Sequence, residues 1–133
     1  MVLLVFSCAY QGSPGGGPKD IINPQLTDIF PPNESQLDSN SEIVIVFDEN
    51  IKLNSFINPI SIHPEVDIVS KVRKNKLFIK PVSNWPNDLI KININRGISD
   101  LHSNYINKNI QLVYNLSDNN YCTISGNLEN YSD

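Results

Sequence analysis

From Pro24 onward the sequence consists of short apolar runs separated by turn-forming residues, and this pattern constrains the fold more than any other feature. Apolar residues recur at every second position or in brief runs, and Asn, Asp, Pro and Gly interrupt them every few residues. No helical period persists beyond about one turn. The pattern therefore predicts strands joined by turns and excludes a helical bundle or an alternating α/β fold.

About seven strands are predicted between Pro24 and Asp118. The most continuously apolar one places Ile43, Ile45 and Phe47 on one face, and Lys74-Asn75 is typical of a hairpin turn. The predicted strands are Gln25–Phe30, Glu42–Phe47, Ile57–His63, Val66–Val72, Lys76–Lys80, Leu89–Asn95 and Ile110–Leu116.

With no helix available to cover a sheet, two sheets packed face to face are the simplest arrangement. The strand number and the length of the region fit an immunoglobulin-like β-sandwich. A barrel of six to eight strands remains the alternative from pattern alone. Trp85 lies between turn-forming residues, so we expect it to plug a loop rather than to lie at the centre of the core.

Charge and cysteine content exclude several classes of function. The net charge of −4 and the pI of about 5.0 argue against nucleic-acid binding, which depends on basic contacts to phosphate. Two cysteines are too few for a disulfide-stapled miniprotein. No motif indicates a cofactor or a small-molecule substrate.

The first eight residues predict where the protein is located. An apolar run leads to Val5-Phe6-Ser7-Cys8, which resembles the lipobox of bacterial lipoproteins. The resemblance implies removal of residues 1–7 as a signal-peptide remnant and lipidation of Cys8. The alternative from the residues alone is a buried strand from Val2 to Phe6.

The segment after Cys8 predicts a flexible tether. Gly, Pro and Ser dominate Ala9 to Asp20, and such a stretch cannot bury enough apolar surface to offset its backbone entropy. We therefore divide the chain into a lipidated tether over residues 8–23, a sandwich over residues 24–118 and, over residues 119–133, the start of a further, truncated region.

Several motifs resemble the bacterial Ig-like domain of S-layer proteins and envelope lipoproteins. They are Ile29-Phe30-Pro31-Pro32-Asn33, the strand Glu42–Phe47 followed by Asp48-Glu49, and Asp100-Leu101-His102-Ser103-Asn104, where Ser103 replaces the usual glycine. The tether, with Gly16-Gly17-Pro18-Lys19-Asp20 after Cys8, resembles the start of such lipoproteins from Bacteroidota. The resemblance implies a non-catalytic sandwich.

Few residues suggest chemistry. His63 and His102 lack metal-ligand spacing, and Cys122 has no histidine nearby in the sequence. Strand-end carboxylates at one pole of a sandwich can bind calcium through oxygen ligands, which makes Asp48, Glu49 and Asp100 weak candidates. We expect no catalytic residues and no metal.

These features predict a structural spacer or protein-interaction module of the cell envelope. Its partners would be a membrane, through the lipid on Cys8, and an envelope protein, through exposed sheet edges. We expect it at the outer membrane, facing the periplasm rather than the cell surface. The alternative is a carbohydrate- or calcium-binding module of a polysaccharide-uptake system, with Trp85, Tyr105 and Tyr114 as candidate sugar-stacking residues.

Overall fold

The computed structural model describes residues 15–54, 58–86 and 89–116, and within these ranges it contains nine strands and no helix. Accordingly, no described helix is long and apolar enough to cross a membrane. The strands are β1 (Leu26–Phe30), β2 (Ile43–Phe47), β3 (Ile51–Leu53), β4 (Ile60–His63), β5 (Ile68–Arg73), β6 (Lys76–Pro81), β7 (Leu89–Ile94), β8 (Ile98–Asp100) and β9 (Ile110–Asn115).

The strands form two larger sheets and one small sheet, with all named strands paired antiparallel. The orders are β1-β2-β6-β5 and β4-β7-β9, and β3 pairs with β8. Without β3 and β8, this is the four-plus-three strand order of an immunoglobulin-like sandwich. The predicted fold class is therefore confirmed, and the barrel alternative is wrong because the two larger sheets are not joined into a closed ring.

The interior is one apolar cluster to which both larger sheets contribute. Alternate residues point inward: in β2, Ile43 and Ile45 are fully buried, and in β7 Ile90, Ile92 and Ile94 are fully buried. The same period of two buries Leu77 and Ile79 in β6 and Leu112 and Tyr114 in β9. The prediction that Ile43, Ile45 and Phe47 share one face is confirmed, since all three are buried.

Two short strands were not predicted. β3 and β8 have three residues each, too few for a period of two to be recognised, and β8 contains the buried polar residues Ser99 and Asp100. These strands lie in the β2–β4 and β7–β9 connections and pair with each other, with Ile51 opposite Asp100. Their pairing turns two connections into an ordered pole of the sandwich.

Trp85 lies in a loop, as predicted, but the prediction of a loop plug rather than a central core residue underestimated its burial. Its side chain is only 3% exposed and belongs to the buried cluster. The indole Nε1 donates to the Ser41 carbonyl oxygen at 2.9 Å, and the Trp85 backbone N–H donates to that of Ser39. A loop reaches the core here because one large side chain buries its ring while its polar atom finds a partner.

Candidate functional site

The pole formed by β3 and β8 contains the three predicted carboxylates. Asp48 and Glu49 lie in the turn between β2 and β3, and Asp100 ends β8, so the pairing of β3 with β8 brings the two segments together. Asp48 is exposed, and its Oδ1 accepts the Gln25 N–H at 2.8 Å while its own N–H donates to the Gln25 carbonyl oxygen at 3.0 Å. Asp48 thus fastens the residue before β1 to this turn.

Asp100 is completely buried, and its carboxylate holds the turn that follows β8. Its Oδ1 accepts the Asn104 backbone N–H at 2.7 Å, and its Oδ2 accepts the Asn104 Nδ2 at 2.7 Å. Burial alone raises the pKa of this carboxyl group, but the Asn104 hydrogen bonds, the His102 backbone N–H and the nearby His102 ring outweigh it and lower the pKa. A buried carboxylate with these donors stays ionised and is a structural clasp.

The backbone conformation explains why glycine is usual at the third position after this aspartate. Ser103 has a φ of 73°, in the left-handed region where side chains with a Cβ atom are disfavoured. The turn needs this conformation to return the Asn104 backbone and side chain to Asp100. Ser103 therefore performs the role of glycine at a conformational cost.

The structure adds Asp20, which was predicted to lie in the tether. Asp20 Oδ2 lies 3.4 Å from His102 Nδ1, and the same nitrogen lies 3.9 Å from Asp100 Oδ2. The Asp20 carbonyl oxygen also accepts Asn104 Nδ2 at 3.2 Å, and Asn23 Nδ2 donates to the Tyr105 carbonyl oxygen. No local signal could have found this contact, because it joins residues that are 84 positions apart.

Several charged groups of this pole act together on the pKa of the Glu49 carboxyl group. Desolvation raises the pKa of its carboxyl group, and the Asp100, Asp20 and Asp48 carboxylates raise it further, while His102 acts in the opposite direction. The pole therefore concentrates negative charge around a half-buried glutamate.

Asp20, Asp100 and His102 each place one ligand-type atom within 4.8 Å of the others, which makes them the candidate cation set of the described residues. Of the predicted weak candidates, only Asp100 belongs to this set, and its two oxygens already accept hydrogen bonds from Asn104. His63 lies at the end of β4, in a different sheet. Cys8 and Cys122 lie outside the described residues. Because both Asp100 carboxylate oxygens accept hydrogen bonds from Asn104, the role that this cluster shows is to hold loops together.

A cavity of about 410 Å³ lies between β1, at the edge of one larger sheet, and β9, at the edge of the other. Its apolar wall includes Leu26, Ile29 and Phe47 from one sheet and Ile110 and Leu112 from the other. Among the described residues that line it, Lys108 is the one with an ionisable side chain. The described lining therefore lacks the two ionisable side chains that a general acid–base pair requires.

The candidate sugar-stacking residues do not share an exposed face. Trp85 and Tyr114 are buried, and the Tyr114 hydroxyl donates to the Pro31 carbonyl oxygen at 2.8 Å. Burial raises the pKa of the Tyr114 hydroxyl to about 12, consistent with a neutral donor in the core. Tyr105, 41% exposed, is the accessible one of the three.

The fold is an all-β, immunoglobulin-like sandwich, and hydrogen bonds between Asp100 and Asn104 hold the loop at one of its poles. This chain belongs to the bacterial Ig-like domain family, whose model matches residues 20–117, which confirms the resemblance at that level. No curated protein matches the sequence significantly. Among solved structures, it is similar to LD transpeptidase LdtMt1 in complex with imipenem, at 12% identity and a TM-score of 0.45. The similarity covers 69% of this chain and 40% of that chain, so this chain spans less than half of that protein's length.

Proposed function

We propose that this chain is the Ig-like part of a bacterial cell-envelope lipoprotein, attached to the membrane through Cys8 and acting without catalysis as a spacer or protein-interaction module. The observation that carries the proposal is the family match over a sandwich whose interior is filled by its own side chains. A domain of this kind offers its surface and its sheet edges rather than a reactive cavity.

The lipid anchor is supported by the sequence around Cys8. Val5-Phe6-Ser7-Cys8 provides the lipobox pattern, and the Gly/Pro-rich segment that follows provides a spacer between membrane and domain. Residues 15–19, the described end of that segment, are exposed, whereas the Asp20 carbonyl oxygen accepts a hydrogen bond from Asn104 at the pole. Acyl chains on one cysteine would provide firm attachment because each buried methylene contributes about 0.8 kcal/mol.

The proposed location is the outer membrane of a member of the Bacteroidota, facing the periplasm. The residues directly after Cys8, Ala9-Tyr10-Gln11-Gly12, contain none of the acidic side chains that favour export to the cell surface in this group. A periplasmic position suits a domain that spaces or contacts other envelope proteins.

The alternative, a carbohydrate- or calcium-binding surface module, has less support. The Asp20, Asp100 and His102 cluster is the feature that favours it. Against it, Asp100 is already engaged by Asn104, and Trp85 and Tyr114 are buried. Calorimetric titration with Ca²⁺ and with oligosaccharides separates the two proposals, and we expect no heat of binding.

The experiment that tests the anchor is replacement of Cys8 in the complete gene, expressed in its host. Cys8→Ala should move the protein from the membrane fraction to the soluble envelope fraction and abolish labelling by a palmitate analogue. Cys122→Ala is the matched control, since it removes the other cysteine and should change neither result. Membrane retention of Cys8→Ala, or an unlabelled wild-type protein, would contradict the proposal.

A further inference from the structure

The β5–β6 hairpin carries a concentration of positive charge in an acidic protein. Residues Ile68–Pro81 contain five of the ten basic residues and no acidic residue, leaving the other five basic residues against all fourteen acidic ones in the rest of the chain. These five are Lys71, Arg73, Lys74, Lys76 and Lys80. Such a separation of charge is a basis for attracting an acidic partner to one face.

Four of these cations lie on the outer face of the four-stranded sheet, among apolar side chains. The register places Val69 opposite Lys80, Lys71 opposite Phe78 and Arg73 opposite Lys76. Because side chains alternate between faces, these residues point away from the core, to which Leu77 and Ile79 belong. Lys71 Nζ lies 5.5 Å from the centre of the Phe78 ring.

A cavity of about 310 Å³ lies within this outer face, next to β5. Its wall is apolar, from Val69, Phe78, Pro81 and Val82, and Lys71, Lys80 and Glu42 are its charged lining residues. Val69 is 59% exposed and Val82 is 62% exposed, so the apolar wall is open to solvent. The cavity suits an apolar side chain, and the Glu42 Oε1 atom, 3.9 Å from Lys71 Nζ, shows that a carboxylate can lie beside its cations.

β5 is an edge strand, and its outer edge has backbone groups available for a further strand. A two-residue turn at Lys74-Asn75 closes the hairpin on the pair Arg73 and Lys76, which exchange hydrogen bonds. Hydrogen-bonded and non-hydrogen-bonded pairs alternate along an antiparallel ladder. The N–H and C=O groups of Ile68 and Ser70 therefore point away from β6. Among the described residues, these outward groups make no hydrogen bond, and on the β3 side Ile51 N–H donates to the carbonyl oxygen of Lys74, the residue after β5.

The other three edges of the two larger sheets are less suited to pairing. At β9, Asn33 Oδ1 accepts the Val113 N–H at 2.8 Å and Glu34 N–H donates to the Val113 carbonyl oxygen at 2.8 Å, so a loop covers that edge. β1 is interrupted by an irregularity between Leu26 and Asp28, and β4 has only four residues. β5, with six residues in regular register, is the longest uncovered edge.

We infer that the outer edge of β5 binds an extended acidic segment of a partner protein, which adds as a strand with carboxylates opposite Lys71 and Arg73 and an apolar side chain opposite Val69. Cross-strand neighbours on one face lie close enough for opposite charges to attract. A second copy of β5 is excluded as the occupant, because it would oppose lysine with basic residues. Anionic lipid headgroups are disfavoured because they cannot satisfy both backbone N–H and C=O groups as a strand does. This inference rests on the proposed interaction-module function and specifies its partner.

The test titrates the 133-residue chain with the acetylated, amidated peptide Thr-Glu-Thr-Glu-Thr-Val-Thr at low ionic strength, followed by NMR. We expect the amide signals of Ile68 and Ser70 to shift, and the affinity to fall as salt is added. Two peptide controls separate the contributions of charge and backbone: one has Gln in place of Glu, and one is N-methylated at the Thr opposite Ser70. Both should bind at least about tenfold more weakly.

Protein variants complete the test. Lys71→Glu should weaken binding about tenfold because attraction becomes repulsion, whereas Lys91→Glu, the same charge change at an exposed position of β7, should leave binding unchanged. Ser70→Pro removes the outward N–H without altering charge and should abolish binding in a variant whose circular dichroism is unchanged. If that variant does not fold, the N-methylated peptide supplies the same comparison.

Absence of peptide binding, equal binding of the N-methylated peptide, or insensitivity to Lys71→Glu would overturn the inference. Binding to phosphatidylglycerol vesicles without binding to the peptide would also overturn it and would favour a lipid surface instead. These outcomes are independent of the Cys8→Ala experiment, because the peptide assay needs no lipid anchor. A failed anchor test with intact peptide binding would therefore refute the lipoprotein proposal alone.

Discussion

Asp100 and Asn104 show how individual residues order the pole of this domain. Asn104 donates both its backbone and its side-chain N–H groups to the Asp100 carboxylate, and its side chain also reaches the Asp20 carbonyl oxygen. Charge-assisted bonds to a buried carboxylate are stronger than neutral ones. The beginning of the domain is thereby connected to a turn far away in sequence.

Ser103 provides a test of the conformational cost at this turn. Ser103→Gly should raise the free energy of unfolding by about 0.5–1 kcal/mol, because glycine adopts the left-handed conformation without a Cβ penalty. Urea denaturation measures the change. Ser83→Gly, at an exposed position without a positive φ, should be neutral or slightly destabilising. Equal effects of the two substitutions would contradict the interpretation of Ser103.

Glu49 makes the stability of the pole depend on pH. Its pKa is raised in the folded state, so the folded protein binds this proton more tightly than the unfolded chain, and stability is lost as pH rises above the usual value of 4.5. Glu49→Gln should therefore raise the denaturation midpoint at pH 7, and the difference should shrink as pH falls below 4.5. Urea titrations at several pH values measure it.

Glu65→Gln, at an exposed position in the connection between β4 and β5, is the matched control for that substitution. It should leave the denaturation midpoint unchanged at each pH. A destabilised Glu49→Gln at pH 7, or a difference that persists in acid, would show that repulsion from the neighbouring carboxylates does not act on Glu49.

At this scale the sequence predicted part of the candidate site. Asp48, Glu49 and Asp100 follow predicted strands or a family motif, so their position at a strand end could be inferred. Asp20 could not be found, because its contacts depend on how the chain passes the pole after β8 has formed. Long-range contacts of this kind have no periodic signature.

At the scale of elements, the seven larger strands were predictable because each shows a period of two or a continuous apolar run. β2, β6, β7 and β9 bury the faces that their patterns indicate. β3 and β8 could not be predicted, because three residues are too few to show a period of two and each strand is formed by pairing with the other. The Trp85 loop was misjudged in part, since sequence cannot show that a neighbouring segment offers a carbonyl to the indole.

The edges of the sheets are managed differently from one another. A loop covers β9, an irregularity interrupts β1, and β4 is short, whereas β5 carries basic residues at alternate positions. Lysine on an edge strand discourages pairing between like edges. The same charges define which strand would be accepted, namely an acidic one.

At the scale of the whole molecule, the domain combines an acidic pole with a basic outer face. The pole gathers Asp20, Asp48, Glu49 and Asp100, and the β5–β6 hairpin carries half of the basic residues. The fold class followed from the sequence because length, strand number and the lack of helical period leave few arrangements. The common outer face of the basic residues in the β5–β6 hairpin could not be predicted in this way, because it requires the register between β5 and β6.

The most direct test of this account is amide hydrogen exchange of the 133-residue chain, read residue by residue by NMR. Residues that bond to β6, namely Val69, Lys71 and Arg73, should exchange slowly, as should the central strands β2 and β7. Ile68 and Ser70, whose N–H groups point away from β6, should exchange rapidly. Equal protection along β5, or fast exchange throughout β2 and β7, would contradict an immunoglobulin-like sandwich with an open β5 edge.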